Sequence, residues 1–202
     1  MNRKGVFICV EGLDGSGKTT QARILVERLR GSHNAVYTAE PSLGKIGAFI
    51  KGNCLYCEKR QPSAVEALLF AADRLDHVET EIIPALNEGK LIVSDRYIYS
   101  SLAYQGATGL SLEWIETINA HALRPDLAIF LDVDPESVMQ RLKREKSVME
   151  NLETQRKVQG IYLRYVAKGE LVRIDSNRRL PEVTEALYAH VLKFLGSKEN
   201  HE

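Results

Sequence analysis

Within VEGLDGSGKTT (10–20), Gly12, Gly17, Lys18 and Thr19 occupy the fixed positions of G-x-x-x-x-G-K-[S/T], and Asp14, Gly15, Ser16 and Thr20 complete the stretch. Such a loop turns consecutive backbone N–H groups inward around a phosphate. Gly12, Gly15 and Gly17 supply angles that side chains obstruct and let amides approach the oxygens. Lys18 reaches the β- and γ-phosphates, Thr19 offers a hydroxyl to Mg²⁺, and the following helix aims its positive end at the same charge. The chemistry is binding of a nucleoside triphosphate, and the loop identifies a donor without identifying the reaction. A guanine-selecting N/T-K-x-D element is absent from the sequence. Motor and transporter ATPases are usually larger, which leaves a small phosphotransferase needing Mg²⁺, cations spread over the transferring group, and a second pocket for the acceptor.

The surrounding elements suit that loop. VFICV (6–10) reads as a buried strand, and Thr20–Arg30 places Ala22, Leu25, Val26 and Leu29 at helical spacing. AVYTAEP (35–41) reads as a second strand ending at Pro41, followed by a short helix near Ile46–Ile50. Ser63–Glu88 reads as one long amphipathic helix with Val65, Leu68, Leu69, Ala72, Leu75 and Val78 on its apolar face, Pro84 kinking its end and Gly89 stopping it. LIVS (91–94), LAIFLDV (127–133) and LVRID (171–175) supply further strands, with helices over 98–105, 111–122, 135–168 (broken near 146–150) and 181–195. Alternating strands and helices predict an α/β protein with a five-stranded parallel sheet covered on both faces. Open α/β sheets bind ligands beyond the carboxyl ends of their strands, where Asp14–Thr19, Glu40, Asp95 and Arg96 all fall.

Composition bounds the rest. The 202 residues, 44% of them hydrophobic, are read as a single domain, 1–202. Equal numbers of basic and acidic residues, 27 each, give no global basic field for nucleic acid or anionic membranes. No apolar run approaches the roughly 20 residues of a membrane span, and the amino end becomes a strand before a secretory core develops, which predicts a soluble, cytoplasmic protein. Cys9 reads as strand packing, and Cys54-Leu55-Tyr56-Cys57 as ordinary thiols in a helix or its end, since no further zinc ligands stand at suitable spacing. His33, His77 and His121 show no carboxylate or serine partner at a recognisable spacing, which disfavours a hydrolytic triad.

The chain resembles the thymidylate kinases over nearly its whole length. The likeness rests on EGLDGSGKTTQ (11–21), EP (40–41) with IG (46–47), ALLFAADRLDHV (67–78), DRYIYSSLAYQG (95–106), PDLAIFLDVDPE (125–136) and RLKRE (141–145). It implies the three-layer P-loop NTPase fold with a mobile lid at about 141–153, transfer of the γ-phosphoryl of MgATP to dTMP, and a homodimer formed through long helices.

The resemblance also implies roles for single residues. Phe70 matches the aromatic that stacks on thymine, the alternative being a core phenylalanine; Arg74 matches the arginine that bonds the base near the acceptor phosphate, the alternative being a solvated surface arginine. Asp95 matches the strand-end acid near Mg²⁺, and Arg96 the arginine clamping the acceptor phosphate, the alternative being a buried structural Asp–Arg pair. Ser100, Ser101 and Gln105 match positions that meet the base edge or phosphate, and Tyr104 lies where a ribose 2′-OH would need space. Asp14 matches an acid near the acceptor's 3′-OH, and Glu40 supports Mg²⁺ or the loop, or else ends its strand structurally.

Two positions depart from the family pattern. Gly15 stands where some members carry a basic residue, and in others the lid supplies that charge. Here the resemblance points to Arg141, Lys143, Arg144 or Lys146, with Arg144 favoured for the transition state and Arg141 for adenine or the donor phosphates; the family's acidic-arginine pair in the lid reads Glu150-Asn151. Lys51 replaces an acceptor-phosphate arginine, keeping the charge and losing the bidentate fork. The rival readings are a kinase for another pyrimidine deoxynucleotide or a deoxynucleoside, and a non-catalytic ATP-sensing module.

Overall fold

The computed structural model describes residues 4–55, 61–141 and 151–199. The chain runs β1 (Val6–Gly12), α1 (Lys18–Leu29), β2 (Ala35–Ala39), α2 (Lys45–Ile50) extended by a π-type turn through Leu55, and α3 (Ser63–His77). A second π-type turn (Val78–Ile82) leads into α4 (Ile83–Asn87), then β3 (Leu91–Asp95), α5 (Ile98–Ala107) and α6 (Leu112–Ile118). β4 (Leu127–Asp132), α7 (Pro135–Arg141), α8 (Leu152–Ala167), β5 (Val172–Asp175) and α9 (Leu180–Glu199) complete it.

The five strands form one parallel sheet in the order β2-β3-β1-β4-β5. Period-2 alternation sorts its side chains between two apolar layers. Ile8, Val10, Val93, Ile129 and Leu131 face α1 and α9. Phe7, Cys9, Ile92, Ala128 and Phe130 face α4 through α8. Burial on both faces explains why the strands read as continuous apolar runs.

The register delivers the functional ends to one place. Val10 of β1 pairs with Asp95 of β3, which also pairs with Ala39 of β2. The Arg96 N–H then donates to Val10 O (3.0 Å), and the Glu40 N–H to Asp95 O (3.0 Å). The phosphate loop, Glu40 and the Asp95-Arg96 turn therefore leave the sheet side by side, beyond its carboxyl edge.

The segment 63–88 departs from its predicted form. Pro84 lies in the first turn of a separate short helix, where its missing N–H costs nothing, after the π-type turn has already ended α3. The buried face is also a different one: α3 turns Glu66, Ala67, Asp73, Arg74 and His77 inward, while Val65 (42%), Leu68 (50%) and Leu75 (40%) stay exposed. Counting apolar residues selected the wrong stripe because Asp73, Arg74 and His77 find partners on other elements, which removes the penalty for burying them. Predicted 111–122, α6 is shorter, running from its cap at Ser111, whose Oγ accepts from Trp114 N (3.3 Å), to Ile118.

Cys9 and Cys54 are buried, and Cys57 lies outside the described residues. So do Lys143, Arg144, Lys146 and Glu150 of the expected lid, while Arg141 is described only as the last residue of α7. Among the described residues no helix is long and apolar enough to cross a membrane.

Candidate active site

The loop between β1 and α1 has the backbone its glycines permit. Gly12, Gly15 and Gly17 all adopt positive φ (151°, 82° and 92°), and a Cβ at Gly12 would come within 2.7 Å of Ser16 Oγ and 2.8 Å of Leu131 O. Gly17 caps α1 with no side-chain hydrogen bond, so the first-turn amides, which have no intrahelical acceptor, face the loop's hollow. Ser16 is buried, its carbonyl accepts from Ser176 Oγ (3.0 Å), and its own hydroxyl has no partner among the described residues. Thr19 and Thr20 are exposed at the head of α1.

Lys18 is buried and donates from Nζ to Leu13 O at 2.6 Å. Burial, and next the Arg96 charge, lower its pKa to about 8, against the pull of Asp14, Asp95 and Glu11. A phosphate added here would restore the ammonium and give it a stronger acceptor. Thr19 Oγ1 donates to Asp95 Oδ2 at 2.5 Å, and Tyr37 Oη to the same oxygen at 3.3 Å. The other carboxylate oxygen, Oδ1, is buried and without a hydrogen bond among the described residues.

Arg96 follows with φ at 70°, the described non-glycine residue with a positive angle. A bulky residue in this region carries about 1–3 kcal/mol of strain and persists where its surroundings fix it. Its guanidinium pairs with Asp14 through Nη2, donates to Ser100 Oγ through Nη1 (3.1 Å), and lies 5.1 Å from the Tyr104 ring centroid. Burial opposes the Arg96 charge, but Asp14 and then the other acidic neighbours outweigh it and hold the pKa well above its ordinary value. Tyr104 is buried, accepts the Asp14 N–H at Oη (2.8 Å), and has its ionisation pushed up by burial and then by Asp14. Asp14, Arg96, Ser100 and Tyr104 thus form one cluster at the mouth of the phosphate loop.

Arg74 lies deeper, about 1% exposed, which excludes the solvated-surface reading. It pairs with Glu40 (2.7 Å) and donates to Asn119 Oδ1 (2.5 Å), Ser101 Oγ (3.0 Å) and Tyr97 O (3.3 Å). Its Nε, the Tyr97 hydroxyl and Gln105 Oε1 are buried polar atoms with no partner among the described residues. Phe70, one turn earlier on α3, is half-buried and belongs to neither apolar layer among the described residues. Lys51 Nζ donates to Ser42 O (3.0 Å), bracing the turn after β2.

Several residues of this region carry no local signal in the sequence. Asp73 accepts Ser42 N–H (2.8 Å) and Ser42 Oγ–H (2.6 Å) across 31 positions, and Asn119 meets Arg74 across 45. Glu11, inside the recognised motif, is fully buried beneath the Arg96 turn. His77 corrects the view that the histidines lack carboxylate partners: Nδ1 lies 3.3 Å from Glu40 and Nε2 3.6 Å from Glu81, an i,i+4 spacing that was visible. With Thr38 Oγ1 at 2.7 Å from Nε2, a hydroxyl, an imidazole and a carboxylate stand in a row.

That row is a brace. Burial works against the His77 charge, but Glu40 and Glu81 overcome it and raise the pKa to about 9, so the imidazolium cannot act as a base near neutral pH. A folded-state pKa above the unfolded value of about 6.5 gives stability fully present below pH 6.5 and lost as pH rises through about 9. Glu81 is partly exposed, which screens its share. Urea unfolding of the parent is therefore expected to show stability falling by on the order of 1–2 kcal/mol between pH 6.5 and 8, a slope absent from His77→Gln. Parallel profiles for the two chains would contradict a charged His77.

Among the described residues no group of three His, Cys, Asp or Glu side chains could hold a metal unaided. Thr19 and the unpartnered Asp95 oxygen instead fit a Mg²⁺ ion bound chiefly by phosphates.

Comparison with known proteins agrees with this geometry. Residues 10–187 match the family model described as thymidylate kinase. The chain is 43% identical over 197 residues to a protein of Pyrococcus abyssi named "Probable thymidylate kinase", covering 93% of this chain and 96% of that one. Proteins with the same name from Pyrococcus horikoshii (45% over 169 residues, 80% of this chain and 82% of the other) and Pyrobaculum aerophilum (44% over 190 residues, 93% and 96%) are similarly close. A phosphate loop opening beside a buried arginine pocket, carried on a sequence with this likeness along its length, leads to one assignment: the chain belongs to the thymidylate kinase family.

Proposed function

We infer that the protein transfers the γ-phosphoryl group of ATP to dTMP, giving dTDP and ADP, a step in dTTP biosynthesis. The observation that carries this reading is the Asp14–Arg96–Ser100–Tyr104 cluster at the mouth of the phosphate loop, in a chain of this family. The acceptor phosphate is already an anion, so transfer is in-line and requires positioning and charge neutralisation, with no covalent enzyme intermediate. Gly12–Thr20 and Lys18 hold the donor phosphates. Arg96, leaving Asp14 for the two phosphates, bridges donor and acceptor. Phe70 stacks on the thymine, Arg74, Ser101 and Gln105 face its edge, and Tyr104 occupies the space of a ribose 2′-OH. Thr19 and Asp95 would hold Mg²⁺, which supplies neutralisation of the β- and γ-oxygens when bound. Glu40 acts through Arg74 and His77. Lys51 swings from Ser42 to the acceptor phosphate, and the resemblance assigns Arg141 to adenine or the donor phosphates and Arg144 to the transition state.

The exposed stripe Val65, Leu68 and Leu75 on α3 is the natural face for a homodimer, because isolated apolar stripes on a long helix gain by meeting a second copy. Sedimentation of a species twice the chain mass, shifted to monomer by Leu68→Glu, supports this arrangement. We place the enzyme in the cytoplasm with its nucleotide substrates.

Initial rates with MgATP against dTMP, dUMP, dCMP and thymidine test the assignment. dTMP is expected to give the highest kcat/KM, and equal rates on thymidine would defeat it. Lys18 adds a pH signature: the free enzyme sheds its proton above about pH 8, whereas bound phosphates require it. KM for ATP is expected to rise above pH 8 by up to about tenfold per pH unit. A flat KM from pH 7 to 9.5 would show that Lys18 stays charged in the free protein.

A further inference from the structure

Glu11, next to last in β1, is fully buried, yet among the described residues none of its hydrogen bonds goes to the phosphate loop. Oε1 accepts the N–H groups of Tyr97 (2.9 Å) and Ser100 (3.2 Å), and Oε2 accepts the hydroxyls of Ser100 (2.6 Å) and Tyr162 (3.0 Å). The carboxylate is therefore saturated by donors from α5 and α8. We propose that Glu11 is a positioning residue: by capping α5 from the neighbouring strand and gripping Ser100, it holds Arg96 in the left-handed turn from which its guanidinium reaches the transferring phosphoryl group. The proposal rests on the role given to Arg96 above.

Arg96 cannot hold that conformation through its own preferences. Its N–H is fixed to Val10 O (3.0 Å), its carbonyl receives Ser94 Oγ–H (2.7 Å), and the next N–H, that of Tyr97, ends on Glu11. Leaving the left-handed region would swing that Tyr97 N–H away from its acceptor. Tyr97, the N-cap of α5, offers no side-chain cap, so the Glu11 carboxylate, with the negative charge a helix start favours, takes that place.

A second link reaches the guanidinium. Arg96 Nη1 donates to Ser100 Oγ (3.1 Å), and Ser100 donates onward to Glu11 Oε2 (2.6 Å). Burial pushes the Glu11 pKa up, against the pull of Ser100, Arg96, Tyr162 and Lys18; a guanidinium cannot accept, and with the carboxylate ionised this chain has one direction. A neutral glutamine keeps the size of the side chain but cannot fill both positions with acceptors. Its amide either faces the Tyr97 and Ser100 N–H groups or donates to Ser100 Oγ, whose own hydrogen then loses its acceptor at position 11 and must turn to Tyr162 Oη (3.1 Å).

Glu11→Gln is expected to lower kcat about 10–100-fold with KM for ATP and dTMP shifted less than about threefold, because a preorganised transition-state contact is loosened. The deciding measurement is the double-mutant cycle with Arg96→Ala. If Glu11 acts through Arg96, Glu11→Gln changes kcat by less than about twofold in the Arg96→Ala background. Equal losses in both backgrounds, or no loss in the parent, would overturn the proposal. Should Glu11→Gln lack a cooperative melt, Ser100→Ala replaces it in the same cycle, with the same pair of outcomes. An Arg96→Ala enzyme with parental turnover overturns both the Arg96 role and this proposal, whereas loss there with an intact Glu11→Gln overturns only this one.

Discussion

Arg96→Ala is expected to lower kcat about 10³-fold, or about 4 kcal/mol of transition-state stabilisation, while ATP binds with nearly unchanged affinity. The size follows from the charges that must meet. Two unit negative charges 4 Å apart repel by about 4 kcal/mol at the effective dielectric of a protein surface, and each phosphate carries more than one. Arg96 is the guanidinium placed at the loop's mouth by the Asp95-Arg96 turn, held by Asp14 and Ser100 until phosphates displace the former. Since it grips the group in flight more than bound ATP, the loss falls on kcat. Arg96→Lys keeps a charge without the bidentate fork and recovers only part of the rate. Stopped-flow single-turnover rates and ATP titration by fluorescence measure the two quantities separately. Turnover within a few-fold of the parent would remove Arg96 from the chemistry.

Arg74→Ala is expected to act first on stability, by about 3–5 kcal/mol, the range for breaking one side of a buried pair. Arg74 ties the end of β2, through Glu40, to α5 through Ser101 and to Asn119 just past α6. Truncation leaves the Glu40 carboxylate buried with His77 as its remaining ionic partner and opens a cavity the size of a guanidinium. For a chain of about 200 residues this corresponds to a fall in Tm of roughly 10 °C. Arg74→Met with Glu40→Gln, which removes both charges and restores volume, is expected to regain part of the loss and none of the dTMP affinity. Thermal unfolding without nucleotide, beside KM for dTMP, separates the two effects. An unchanged Tm with only KM raised would mean the network is not a structural one.

The parallel sheet was legible because β1, β3 and β4 are buried on both faces and so read as continuous apolar runs. The phosphate loop was legible because its chemistry is local: glycine angles and a lysine act within a few residues of each other. Helix α3 was placed correctly at its start, read too long, and turned the wrong way. Its inward face includes Asp73, Arg74 and His77, and apart from Glu81, one turn from His77, their partners lie on β2, the turn after it and α5, at separations no periodicity reports. The same holds for Glu11, whose partners Tyr97, Ser100 and Tyr162 stand 86 to 151 positions away. Arg74 illustrates the consequence: sequence reasoning weighed a ligand contact against a solvated side chain, and the structure shows a buried ion-paired node with one nitrogen unpartnered among the described residues.

The two substrates must meet at the mouth of the phosphate loop, beside Arg96. A crystal structure with dTMP and a non-hydrolysable ATP analogue is predicted to show the triphosphate wrapped by Gly12–Thr20, the thymine against Phe70 and Arg74, and the Arg96 guanidinium within hydrogen-bonding distance of both the γ-phosphate and the dTMP phosphate. Finding dTMP bound away from the γ-phosphate, or Arg96 still locked to Asp14 with both nucleotides in place, would contradict it.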